Sequence, residues 1–258
     1  MCFPPEAVPP PVPDSLRVTG DMPEARAVEL AADDSTTVAA AYALAPEPGA
    51  GTAVLILPDV RGLFGYYSNL ARSFAATGHS AIAIDYFGRT AGASVRDAEF
   101  EYLPHVKQTS PEQVQTDLRA ARRHLAEASG ATSFVTVGFC FGGTQSYLAT
   151  TDPELDLAGA VAFYGGLDET RLGVFPHPAG EARRMSGPIL ALYGGADAGI
   201  GEHLRDEFSA ALTDAGVGHE FVVYPGAPHS FFDRAHHDFA AECTDAWRRT
   251  LQFLASVR

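Results

Sequence analysis

Three side chains with the makings of acyl-transfer chemistry stand in order along this chain: Cys140, Asp197 and His229. Cys140 sits in "TVGFCFGG", after a β-rich run and before a stretch with helical character, with Gly138 and Gly142 two positions to either side. A nucleophile on a sharp strand-to-helix turn needs such glycines, because side chains two residues away would collide across the bend. Cysteine here takes the place usually held by serine. Its sulfur would stand at a helix N-terminus, whose positive dipole end favours thiolate. The Phe141 N–H would face the same point as an oxyanion donor. Asp197, in "YGGAD", follows the apolar run 188–194, and His229, in "PHSF", follows the run 220–226. In that arrangement His229 accepts the thiol proton or forms an ion pair with the thiolate, while Asp197 orients the ring and stabilises the imidazolium.

Each residue also has a plainer reading. Free cysteines usually behave as small buried hydrophobes, Asp197 suits a turn, and His229 suits a surface loop. The case for chemistry is joint: all three fall at the ends of β-rich runs, in the order nucleophile, acid, base.

The elements that must position them alternate along the chain. Residues 26–30 and 36–44 read as two antiparallel strands. Residues 52–58 form a nearly all-apolar strand of the kind buried inside parallel sheets. A helix from about Tyr66 to Thr77 carries Leu70, Ala71 and Phe74 on one face, and a strand follows at 80–88. Residues 89–110 form a loop long enough to suggest function. Ser110, Pro111 and Glu112 then open a helix as N-cap, first-turn proline and acidic first turn. It runs to about Ala128 with Val114, Leu118, Ala121 and Leu125 as its stripe. Strands at 133–139, 159–165, 188–194 and 220–226 alternate with helices near 142–150, 203–215 and 236–256. Cys243 reads as core within the last of these. The pattern predicts an α/β fold, with a mostly parallel central sheet, an antiparallel N-terminal edge and helices on both faces. Its site would lie beyond the carboxyl ends of the strands. Residues 26–258 read as a single domain, and the Pro-rich residues 1–25 as an arm extended on the surface or frayed.

The cysteine elbow, "YGGAD", "PHSF" and "ILPDVRGLF" together resemble the dienelactone hydrolase (carboxymethylenebutenolidase) family of α/β-hydrolases, over about residues 25–256. The resemblance implies hydrolysis of a small lactone or enol ester through a thioester. It implies that an acidic residue after the first parallel strand, here Asp59 where the family has glutamate, draws the thiol proton. It implies Val60 N–H as second oxyanion donor and Arg89, in "DYFGRTAG", as clamp for a substrate carboxylate. A further family arginine would fall at Asp233; this chain has Arg234 one position later. Ser230 is a candidate to touch substrate oxygen. Residues 168–187, with Arg183 and Arg184, are a candidate rim for the cleft. Phe64, Tyr66, Tyr67, Phe87, Phe231 and Phe232 are expected near its mouth, where they would suit a larger hydrophobic substrate.

Composition narrows the remaining classes. The 258 residues carry a net charge of −14, which disfavours nucleic acid and anionic membrane surfaces. No apolar run is long enough to span a bilayer, and the N-terminus lacks the pattern of a secretion signal. Three widely spaced cysteines argue against a disulfide framework or zinc site and for a reducing, cytoplasmic setting. No cofactor and no metal is expected, the His236-His237 pair notwithstanding. A monomer or small homo-oligomer acting on a small molecule is expected. The competing readings are a thioesterase or acyl-transfer enzyme for a larger hydrophobic substrate, and a non-catalytic ligand-binding protein.

Overall fold

The computed structural model describes residues 7–168, 173 and 175–257; Cys2, residues 1–6 of the Pro-rich arm, residues 169–172 and 174 of the candidate rim, and Arg258 lie outside the described residues. Its centre is an eight-stranded sheet in the order β1-β2-β4-β3-β5-β6-β7-β8. The strands are β1 Arg26–Ala31, β2 Thr37–Ala43, β3 Ala53–Leu57, β4 Ala81–Ile84, β5 Phe134–Phe139, β6 Gly159–Phe163, β7 Ile189–Gly194 and β8 His219–Tyr224. β1 pairs with β2 and β2 with β4 antiparallel; the remaining neighbours are parallel. The expected mostly parallel sheet with an antiparallel N-terminal edge is what forms.

Helices cover both faces. They are α1 Gly65–Ala76, α2 Gly88–Ala91, α3 Leu103–Val106, α4 Pro111–Ser129, α5 Phe141–Ala149, α6 Pro178–Glu181, α7 Glu202–Asp214 and α8 Ala240–Ser256. The all-apolar β3 explains the two layers. Val54 and Ile56 face Leu70, Phe74, Trp247 and Leu254, while Leu55 and Leu57 face Val114, Leu118 and Leu125. A strand buried on both sides has no polar face, so it loses the alternation an edge strand keeps. α4 starts as its sequence signals: Ser110 Oγ accepts from Gln113 N–H, Gln113 Oε1 accepts from Ser110 N–H at 3.0 Å, and Gly130 closes it at φ 73°.

The segment before β1 is tied down from residue 7 onward. Trp247 Nε1–H donates to Pro10 O at 3.1 Å, Val18 N–H to Ala76 O at 2.9 Å, and Arg72 Nε–H to Pro23 O at 2.8 Å. Two boundaries differ from expectation. The strand expected at 80–88 ends at Ile84, because buried Asp85 bends back to accept the Leu63 and Phe87 N–H groups. The last helix begins at Ala240 rather than 236, since the Ser230 carbonyl gathers the Asp233 and Ala235 N–H groups and holds the chain in turns. Among the described residues no helix is long and apolar enough to cross a membrane.

Candidate active site

β5 enters the centre of the sheet beside β3, with Leu57 opposite Gly138, and leaves at Cys140 directly into α5. Cys140 has φ 55° and ψ −113°, a conformation that L-residues adopt only under constraint and at a cost of about 1–3 kcal/mol. The surroundings enforce it. Cys140 N–H is held by Phe163 O at 3.0 Å, and its carbonyl accepts from Gly143 and Thr144 N–H. A Cβ on Gly138 would meet the Gly142 carbonyl, and one on Gly142 would strike the Leu57 and Pro58 carbonyls. Helix and strands thus approach until only glycine fits, which is the steric requirement read from "GFCFGG". Phe141, as the first residue of α5, has an N–H with no acceptor within its own helix.

The turns that carry Asp197 and His229 lie where β7 and β8 end. Ala196 N–H donates to Ala227 O at 2.9 Å, and a Cβ on Gly194 would run into the Ala227 and Pro228 carbonyls. That contact brings His229 Nδ1 within 2.6 Å of Asp197 Oδ2. The Asp197 side chain is buried and its Oδ1 also accepts from Gly199 N–H at 3.0 Å, while the His229 ring is 28% exposed. The carboxylate is therefore fixed twice, and the ring keeps one side open.

Cys140, Phe141, His229, Ser230, Val60 and Arg234 all line one cleft of about 650 Å³, within the usual range for small-molecule sites. Ser230 is buried and takes φ 64°; Arg234 is exposed at the rim. Thr144, Asp168 and His203 add polar groups, and Tyr102, Leu103, Phe175, Pro176, Ile200 and Leu204 line much of the rest. The stretch 89–110, expected as one long loop, carries most of α2 and all of α3 and contributes Tyr102 and Leu103, and the candidate rim after β6 contributes Phe175.

Several expectations are corrected. Arg89 does not line the cleft. Its guanidinium grips both oxygens of buried Asp117 at 2.9 and 2.8 Å and reaches Asp34 at 2.8 Å. The early end of β4 and the bend at Asp85 send it toward α4 instead. Asp59 is 1% exposed and does not line the cleft either, while Arg61 engages its two oxygens at 3.1 and 2.9 Å. Arg183 and Arg184 are exposed away from the cleft, Arg184 pairing with Glu181 at 2.6 Å. The aromatic residues expected near the mouth are interior: Phe64, Tyr66, Tyr67, Phe87, Phe231 and Phe232 are each at most 2% exposed.

Arg61 and the Tyr164–Asp233 pair were missed in the sequence. Tyr164 follows β6, and its hydroxyl donates to Asp233 Oδ2 at 2.8 Å, while its ring lies 5.0 Å from that of His229. Burial, reinforced by Asp59, pushes the Asp233 carboxyl up to about 6 against the lowering effect of the Arg234 N–H and Tyr164. Its strand-end position was the available signal for Tyr164.

Comparison with known proteins places this geometry in context. The profile of the dienelactone hydrolase family matches residues 39–258. A provisionally named carboxymethylenebutenolidase from Methylorubrum extorquens is 31% identical over 213 residues, covering 80% of this chain and 72% of that protein. A provisionally named 2-oxo-3-(5-oxofuran-2-ylidene)propanoate lactonase from Bradyrhizobium sp. is 30% identical over 209 residues, 78% of this chain and 82% of the relative. A crystal structure of a provisionally named dienelactone hydrolase from Klebsiella pneumoniae superposes with a TM-score of 0.75 at 28% identity, over 90% of this chain and 98% of that one.

Proposed function

The chain belongs to the dienelactone hydrolase family, and on that premise we propose that it cleaves its ester or lactone through Cys140, His229 and Asp197 by way of a thioester. The observation that carries this reading is the strained elbow, which presents Cys140 to the same cleft as a histidine fixed by a buried carboxylate. The Cys140 thiol gives its proton to His229, and the thiolate attacks the carbonyl carbon. The resulting oxyanion is met by the N–H groups of Phe141 and Val60, which act where charge develops. On collapse the C–O bond breaks, and the leaving oxygen takes the proton from His229. Water then attacks the thioester as His229 accepts its proton; the acid leaves and the thiol re-forms. Asp197 holds the imidazole tautomer and stabilises its cation throughout.

Asp59 takes a supporting part in this scheme. Clamped by Arg61, with its N–H on Tyr67 Oη at 2.8 Å, it fixes the turn that offers Val60. Of the substrate-contacting side chains expected from the sequence, Ser230 and Arg234 remain on the cleft to meet substrate oxygen. A nucleophilic thiol needs reducing conditions, which supports a cytoplasmic setting; Cys140 and Cys243 are both free.

The test is alkylation with iodoacetamide under native conditions, followed by peptide mapping. Cys140 should label at least ten times faster than buried Cys243, whose thiol burial pushes up to about 12. His229→Ala should slow Cys140 labelling near neutral pH. Labelling of Cys140 no faster than that of Cys243 would refute an activated nucleophile.

A further inference from the structure

The cleft's walls and charges bear on the kind of ester it accepts, an inference that rests on Cys140 being the nucleophile. The clamp expected to hold a substrate carboxylate is absent from the cleft, since Arg89 is spent on Asp117 and Asp34. The residue four positions after His229 is Asp233, a buried carboxylate whose hydrogen bonds come from the Tyr164 hydroxyl and the Arg234 backbone N–H. Tyr164 touches both it and the base, with its hydroxyl on Asp233 and its ring 5.0 Å from that of His229. On the lining itself Arg234 is the one arginine or lysine among the described residues, and it shares that lining with Asp168. An anionic substrate would leave water for a cleft in which the formal charges of the described lining balance, in a chain of net charge −14. The desolvation of its carboxylate would find little compensation.

The uncharged part of the lining is extensive. Phe175 meets Phe141 edge-on, with centroids 4.8 Å apart, and Leu103, Pro176, Ile200 and Leu204 continue the apolar surface. Phe141 is also the residue whose N–H faces the reacting carbonyl, so the apolar wall begins next to the chemistry. A hydrocarbon or aryl group attached to that carbonyl would be buried as soon as the ester is in register.

We propose that this cleft selects uncharged esters or lactones with an apolar acyl or aryl group and discriminates against substrates that carry a free carboxylate. Arg234 then serves at the rim and not as a carboxylate clamp. Apolar burial also makes a second demand: each methylene added to a straight acyl chain should raise kcat/KM, by up to about fourfold while the cleft has room.

The experiment compares two p-nitrophenyl esters of matched size on the intact protein, the valerate and the mono-ester of glutaric acid, in which a carboxylate replaces the terminal methyl. An acetate-to-hexanoate series and the Cys140→Ala variant accompany them. The spontaneous hydrolysis of each ester is subtracted from its rate, because the free carboxylate of the glutarate ester speeds its own cleavage in water. The proposal expects the valerate to be preferred at least tenfold in kcat/KM, with values rising along the acyl series. Equal or faster turnover of the glutarate ester overturns it, and loss of that preference in Arg234→Ala would assign the carboxylate to Arg234. If neither ester is turned over, this proposal falls together with its premise. Turnover that survives in Cys140→Ala would refute the nucleophile while the valerate-to-glutarate ratio still judges the cleft.

Discussion

Asp197 and Asp117 are both buried carboxylates paired with a cation-forming side chain that follows a strand end, yet only one of those partners, His229, lines the cleft. Asp197 holds His229 at 2.6 Å and leaves the ring partly open, whereas Asp117 takes both its bonds from Arg89 and is sealed beneath α2. The difference lies in how the chain leaves each strand. After β7, the bare Gly194 lets the Asp197 turn nest against Ala227 and Pro228, next to cleft-lining His229. After β4, Asp85 turns inward to the Leu63 and Phe87 N–H groups and to Arg96, and the chain that follows is carried sideways. Position after a strand end is therefore necessary for a site residue, and the exit path decides.

Substitutions can break or sharpen that contrast. Asp197→Asn should lower kcat by about 10³-fold with little change in KM or in thermal unfolding, as expected when a tautomer is lost and packing is kept. A mild loss of rate with a large loss of stability would make Asp197 a structural pair like Asp117. Arg89→Ala should cost about 3 kcal/mol in urea unfolding, because it strands a buried carboxylate. The folded variant should hydrolyse both neutral and carboxylated esters with unchanged kcat/KM. A selective rise in KM for carboxylated esters would return Arg89 to the site.

Asp233 offers a third case, a buried carboxylate bonded to a tyrosine hydroxyl. Its pKa is raised to about 6, so the folded protein binds a proton there as pH falls through 6, while the unfolded chain does so only near 4. Ionisation of Asp233 thus opposes folding above pH 6, and that penalty, on the order of 3 kcal/mol, fades as pH falls toward 4. Asp233→Asn keeps an acceptor for Tyr164 without the charge. It should be the more stable protein at pH 8 and lose that advantage by pH 4.5, as read from urea midpoints. A difference independent of pH would place the cause in packing.

The parts of the site legible in the sequence are those where backbone sterics leave one solution. Gly138 and Gly142 announce the elbow because no other residue fits there, and the apolar runs before Asp197 and His229 place both at strand ends. The α4 start at Ser110, Pro111 and Glu112 was equally local. What escaped reading depends on contacts across the sheet. Arg89 finds Asp117 28 positions away, and Tyr164 finds Asp233 69 positions away. Nothing near either residue in the chain marks its partner. The interior placement of Phe231 and Phe232 follows likewise from packing against Phe163 and Trp247, centroids 4.5 to 6.5 Å apart.

The sulfur of Cys140 as the acyl acceptor is tested most directly by rapid acid quench. The protein is mixed with p-nitrophenyl valerate, stopped within milliseconds and measured by intact mass, then digested and mapped. The mass should rise by one valeryl group in the burst phase, on the peptide containing Cys140, and neutral hydroxylamine should remove it, as it does a thioester. Acyl transfer to any other residue, or full steady-state turnover by Cys140→Ala, would contradict the role given to that cysteine.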